Sequence, residues 1–146
     1  MTHKPTSEFL NEVIDARSLG TILDDNVFTE MNLPNYLAFL LQEKGLKKSD
    51  VIRDSNINAT HAYQIFSGER RASRNKILQL VFAIHATFVE AQRILKLSGV
   101  NELYCKNRRD AILIHCLTNS KSLNETEDIL YDNSELLLAD DIDKRG

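Results

Sequence analysis

The stretch KKSDVIRDSNINATHAYQIFSGERR, residues 47–71, decides the fold. Its first half has apolar residues at Val51 and Ile52, and its second half has them at Ala62, Ile65 and Phe66. Two short amphipathic helices joined by a tight turn follow from that spacing. Asn56 falls in the turn, where the backbone must pass through the left-handed region that asparagine tolerates better than most residues. Ile57 would plug the angle between the helices, and Asn58 is suited to cap the second one. Such a cap leaves Ala59, Thr60, His61, Tyr63 and Gln64 near the exposed N-terminal face of that helix.

Working outward, the chain has 146 residues, 42% of them hydrophobic and 27% charged, enough for one domain with a real core. Five glycines and two prolines leave few places for hairpins, so the class is all-α. No apolar run reaches the ~20 residues of a membrane span, and the first thirty residues lack the basic start and apolar run of a leader. With two isolated thiols, Cys105 and Cys116, this points to a reduced cytoplasmic setting.

Local signals place the remaining helices. Ser7 can cap a first segment with Phe9, Leu10, Val13 and Ile14 on one stripe, ending near Gly20. Pro34 suits a first helical turn, Leu37, Leu40 and Leu41 share a side, and Gly45 closes that helix. Ser73 can cap the helix in RNKILQLVFAI, and another covers Thr87 to Ser98, stopped by Gly99. Ala111 to Leu117 is apolar almost all round, which predicts a buried helix with Asn107 as cap and Asp110 in its first turn. Ser122 and Glu125 form a capping box for the last helix, through Ile129 and Leu130. After Leu138 the acidic tail, 139–146, is expected to be frayed. The expected organisation is an N-terminal arm (1–32), a central domain (33–98) and a helical extension on the same core (99–138). No repeat or linker divides it.

Charge is distributed unevenly. Residues 1–32 carry two cations against six acids, residues 33–110 thirteen against seven, and residues 111–146 three against eight. The segments are thus −4, +6 and −5, which together make the chain's −3. A cationic middle between acidic ends suggests an anionic partner.

From about Leu33 to Ser98 these residues resemble the Cro and phage-repressor type of helix-turn-helix, the XRE-like family. KKSDVIRDSNINATHAYQIFSG aligns without a gap with its two central helices, and ERRASRNKILQLVFAI is similar to its basic loop and following helix. More specifically, YQIFSGERRASRNKILQL followed by AQRILKLSGVNELYCKNRRDAILIHCL resembles a subgroup of small cytoplasmic bacterial proteins with a helical extension. The resemblance implies an all-α lambda-repressor-like bundle with additional N- and C-terminal helices. It also implies a transcriptional regulator that sets the helix at about 58–67 in the major groove of double-stranded DNA, as a homodimer. The extension would supply the dimer surface or a site for a protein partner.

On this reading Thr60, His61 and Gln64 contact base edges, while Lys48, Tyr63, Arg70, Arg71 and Arg74 contact phosphates. The chemistry has its own footing: Thr can donate, accept or touch a thymine methyl, Gln can pair with adenine, and cations release condensed counterions on meeting phosphate. Amides after Ser73 add a helix N-terminus. Two departures stand out. Ile52 replaces the family's usual alanine opposite a small Ala62, a volume exchange across the contact. Ala59 lacks the hydrogen-bonding side chain the family tends to place there, which weakens base readout. A second class follows from that departure and the acidic ends: a protein-interaction adaptor that keeps the fold without base readout.

Other constellations carry little. Cys105, His115 and Cys116 match no zinc spacing, and neither an acid pair, a glycine-rich phosphate loop nor a nucleophile motif is present, so no metal, cofactor or catalysis is expected. His85 reads as structural. Aromatics at Tyr36, Phe39, Phe66, Phe82 and Phe88 recur at helical spacing, a core pattern. Arg108 and Arg109 are open to an ion-pair group, a docking patch or an accessory phosphate contact, with structure favoured.

Overall fold

A computed structural model describes residues 31–140, together with Leu10, which is helical and exposed. The expected Ser7 cap, the rest of the first stripe and residues 141–146 lie outside the described residues. The chain divides after Glu30 into two units, and the description below concerns the second. Its described residues form seven helices and no strand: α1 (Leu33–Lys44), α2 (Lys48–Asp54), α3 (Ala59–Ser67), α4 (Arg74–Ala83), α5 (Phe88–Leu97), α6 (Arg108–Thr118) and α7 (Leu123–Asp132).

Each boundary has a local cause. Asn32 accepts from the Asn35 amide, Pro34 sits in the first turn of α1, and Gly45 ends it at φ 64°. There the Gly45 and Leu46 amides return to the Gln42 and Leu41 carbonyls, which satisfies groups a helix end would orphan. Asn58, Ser73 and Asn107 accept from the amides three residues on, at His61, Lys76 and Asp110. Thr87 with Glu90, and Ser122 with Glu125, form complete capping boxes.

One core holds all seven helices together. Leu37 and Leu40 of α1, Ile65 of α3, Leu78, Leu80 and Val81 of α4, Ile94 and Leu95 of α5, Leu113 of α6 and Leu130 of α7 are all buried within it. The extension therefore shares its hydrophobic interior with the central helices. α4 is the axis: it packs against α2, α5 and α7, and all seven residues from Ile77 to Ala83 are buried. Burial of each large side chain there contributes roughly 1.5–3 kcal/mol.

One expectation needs correction. The helix buried all round is α4 and not α6, where Asp110, Leu113, Cys116 and Leu117 are buried but Ala111 and His115 are exposed and Ile112 and Ile114 half-buried. The main packing partners of α6 are α5 and α7, and Ala111 and His115 on its outer side stay exposed. At the end of the described residues the Leu138 side chain is fully buried, and the Leu138 and Ala139 amides donate to the Glu127 carboxylate at 2.7 and 3.0 Å.

Candidate nucleic-acid interface

The α2–α3 corner begins with Ser55, which is buried although polar. Its Oγ donates to the Ile52 carbonyl at 2.7 Å and accepts from the Ile57 amide at 3.3 Å. Its own carbonyl accepts from the Gln79 side chain of α4 at 2.9 Å. Asn56 then passes through the left-handed region at φ 60°, and Ile57 turns into the core. The corner is thus fixed by a polar clamp from the central helix. A buried Gln79 offers little sequence signal, because glutamine is ordinarily a surface residue of helices.

Ile52 of α2 and Ala62 of α3 are both buried in the common core, and the two helices pack against each other. On the outer side of α3, Ala59, Thr60, Tyr63 and Ser67 are exposed. At ~100° per residue these four lie within one face, and His61 and Gln64 fall on its flank toward the basic loop. His61 Nδ1 lies 3.2 Å from Lys76 Nζ. With the ammonium donating, Nδ1 must accept and the ring is neutral. Burial, then the charges of Lys76 and Arg70, pull the His61 pKa below its ordinary value, against a smaller opposing effect of the Arg71 backbone. Gln64 Oε1 is buried without a hydrogen-bond partner, and so is His61 Nε2.

The expected base-edge residues therefore separate. Thr60 stands exposed on the outer face, whereas His61 Nε2 and Gln64 Oε1 are buried and His61 Nδ1 faces Lys76 of α4. Tyr63, about half exposed, stands on the same face as Thr60.

The expected phosphate residues separate too. Arg70 and Arg71 are exposed in the loop after Gly68, and neither guanidinium makes an ion pair or side-chain hydrogen bond with the described residues. The Arg70 amide donates to the Gln64 carbonyl at 3.3 Å, which folds the loop back on the end of α3. Lys48, first residue of α2, holds its ammonium 5.5 Å from the Phe66 ring centre, tying α2 to α3 while its charge stays at the surface.

Arg74 differs. Its guanidinium meets Asp110 at 3.0 and 2.8 Å through two nitrogens, while Nε and NH2 donate to the Asn101 and Glu102 carbonyls at 2.8 and 3.1 Å. Asp110, itself buried, also accepts from the Tyr104 amide at 3.0 Å. With its donors engaged inside the fold, Arg74 is better assigned to the joint between α4 and α6 than to a phosphate contact. Arg109 likewise donates to Asn75 Oδ1 and to the Leu136 and Leu137 carbonyls, and Arg108 to the Asn133 carbonyl and the Glu135 carboxylate. Both serve the internal bracing of the extension.

The remaining candidates are placed as follows. Among the described residues no group of His, Cys, Asp and Glu side chains is arranged to hold a metal. Cys105 is exposed and Cys116 buried, with burial pushing the Cys116 thiol pKa up. His115 contacts Asn119, and the His85 backbone, at φ 60°, follows the end of α4 with its carbonyl accepting from Lys44. No helix among the described residues is long and apolar enough to cross a membrane. No protein-family model, curated protein or solved structure matches the chain.

Proposed function

We propose that this protein is a DNA-binding transcriptional regulator of the Cro and phage-repressor type, with α2 and α3 as its helix-turn-helix. The observation that carries the reading is the combination of the exposed Thr60–Tyr63 face of α3 with two arginines one loop away that make no ion pair with the described residues. α3 would enter the major groove, with Thr60 meeting a base edge and Tyr63 a phosphate. Arg70, Arg71 and Lys48 would neutralise phosphates on the rails beside it. A homodimer on a two-fold-related site is part of the proposal, because a face with one hydrogen-bonding base contact carries too little discrimination by itself.

One observation favours the alternative, an adaptor for an acidic protein surface: His61 Nδ1 faces Lys76, and His61 Nε2 and Gln64 Oε1 are buried, which thins direct base readout. A salt series on duplex DNA separates the two. The regulator predicts affinity that falls steeply with salt. Arg70→Glu with Arg71→Glu should reduce binding at least about tenfold at low salt and flatten the log–log slope by about 2. Duplex affinity that does not respond to salt or to those charges would refute it.

A further inference from the structure

Behind the basic loop lies a cleft of about 270 Å³, bounded by the N-terminal turn of α1, the C-terminal end of α3 and the C-terminal turn of α5. Ile65 and Ile77, each almost fully buried, form its base, with Pro34, Ala72 and Leu97 around them. Arg70 and Arg71 line the same cleft from exposed positions. Gly68 closes one side: at φ 83°, its α-carbon faces Pro34 so closely that a Cβ would lie 3.0 Å from Pro34 Cγ.

The electrostatics are one-sided. Among the described residues no acid lines the cleft. The N-terminus of α1 lies beside them, with its Asn35 amide capped by Asn32 and Pro34 lacking an N–H, so the two guanidinium groups supply the positive charge. The C-terminal turn of α5 would oppose this, but its carbonyls at Ile94, Leu95 and Lys96 already accept from Ser98, Val100 and Gly99. An apolar base beneath two cations that pair with no acid among the described residues is complementary to a small molecule with an apolar body and one anionic head. A short acyl or single-ring carboxylate is the simplest ligand that carries both features.

We infer that this cleft binds a small amphiphilic carboxylate, whose head group takes Arg70 and Arg71 and whose body rests on Ile65, Ile77 and Leu97. The cleft site stands independently of DNA. Its consequence rests on the functional reading above: a bound carboxylate occupies the arginines proposed to grip phosphate, so ligand and duplex compete.

The test uses the full chain without DNA, following the methyl NMR signals of Ile65, Ile77 and Leu97. Hexanoate and benzoate are titrated against hexanamide, benzamide and inorganic phosphate. Saturable shifts of these methyls with the carboxylates, about tenfold weaker binding of the amides, and loss of that preference in Arg70→Gln with Arg71→Gln support the site. Ala72→Leu, which adds bulk beside the base, should weaken hexanoate in a chain whose thermal unfolding is unchanged. No methyl shift up to ~10 mM of any probe overturns the inference, as do amides binding equally well or phosphate alone reproducing the shifts. A parallel duplex titration keeps the two claims apart. DNA binding without hexanoate binding removes the cleft proposal alone, and hexanoate binding without DNA binding removes the regulator alone. If both bind and saturating hexanoate leaves duplex affinity unchanged, the competition is refuted.

Discussion

Arg70 and Arg71 on one side, and Arg74, Arg108 and Arg109 on the other, are the same residue type with different surroundings in the structure, although Arg74 lies only three residues beyond Arg71. The first two extend from a loop and engage no carboxylate among the described residues. The other three direct their donors at a carboxylate, an amide oxygen or backbone carbonyls, and so join α4, α6 and the segment after α7. What distinguishes them is acceptor supply. Asp110 and the carbonyls of residues 101, 102, 133, 136 and 137 are brought to one side of the bundle, and the loop after α3 has no such set. A cluster of arginines thus says where positive charge is; the surrounding acceptors decide whether it can meet a partner.

The largest effect comes from removing the acceptor that organises the second cluster. Asp110→Ala leaves the partly buried Arg74 guanidinium and the Tyr104 amide without their partner, and should cost about 3 kcal/mol of stability. Denaturant unfolding checks it, and a loss below about 1 kcal/mol would place Arg74 outside the braced set. Arg109→Ala comes next. It releases the Leu136 and Leu137 carbonyls and Asn75, and should cost about 1–2 kcal/mol while making the chain near residue 136 more susceptible to limited proteolysis. Unchanged proteolysis there would mean that Arg108, Glu127 and the buried Leu138 hold this segment without Arg109. The smallest effect sharpens the contrast: Arg70→Gln with Arg71→Gln should leave the unfolding midpoint within about 0.5 kcal/mol of the parent. A larger loss would show that the loop arginines have structural partners after all.

The helices were legible in the sequence because their signals are local. Pro34 and Gly45, Asn58, Ser73, Asn107 and the Ser122–Glu125 box act within one turn, and each stands where its chemistry predicts. Asn56 could be read in the same way, since only a few residue types accept its backbone conformation. The mutual roles of Arg74 and Asp110 could not be read so, because those residues are 36 apart in sequence and meet only through packing. Nor was the exposed side of α6 visible: apolar residues at Ala111, Ile112 and Ile114 predict burial, yet whether anything covers them depends on neighbours. His61 shows the same limit at the candidate interface. A histidine near a helix N-terminus reads as outward-facing until Lys76, one helix later, is found against its ring.

Only two cysteines occur in this chain, and their surroundings differ enough to be chemically useful. A maleimide dye offered to the folded protein should attach at Cys105 and spare Cys116, which is enclosed and reluctant to ionise. Cys105 follows Tyr104, whose amide is held by Asp110, so the fluorophore would sit beside the joint that binds the extension to the central helix. The molecule therefore carries a ready-made reporter whose brightness or anisotropy can reveal separation of those two parts without any engineered residue.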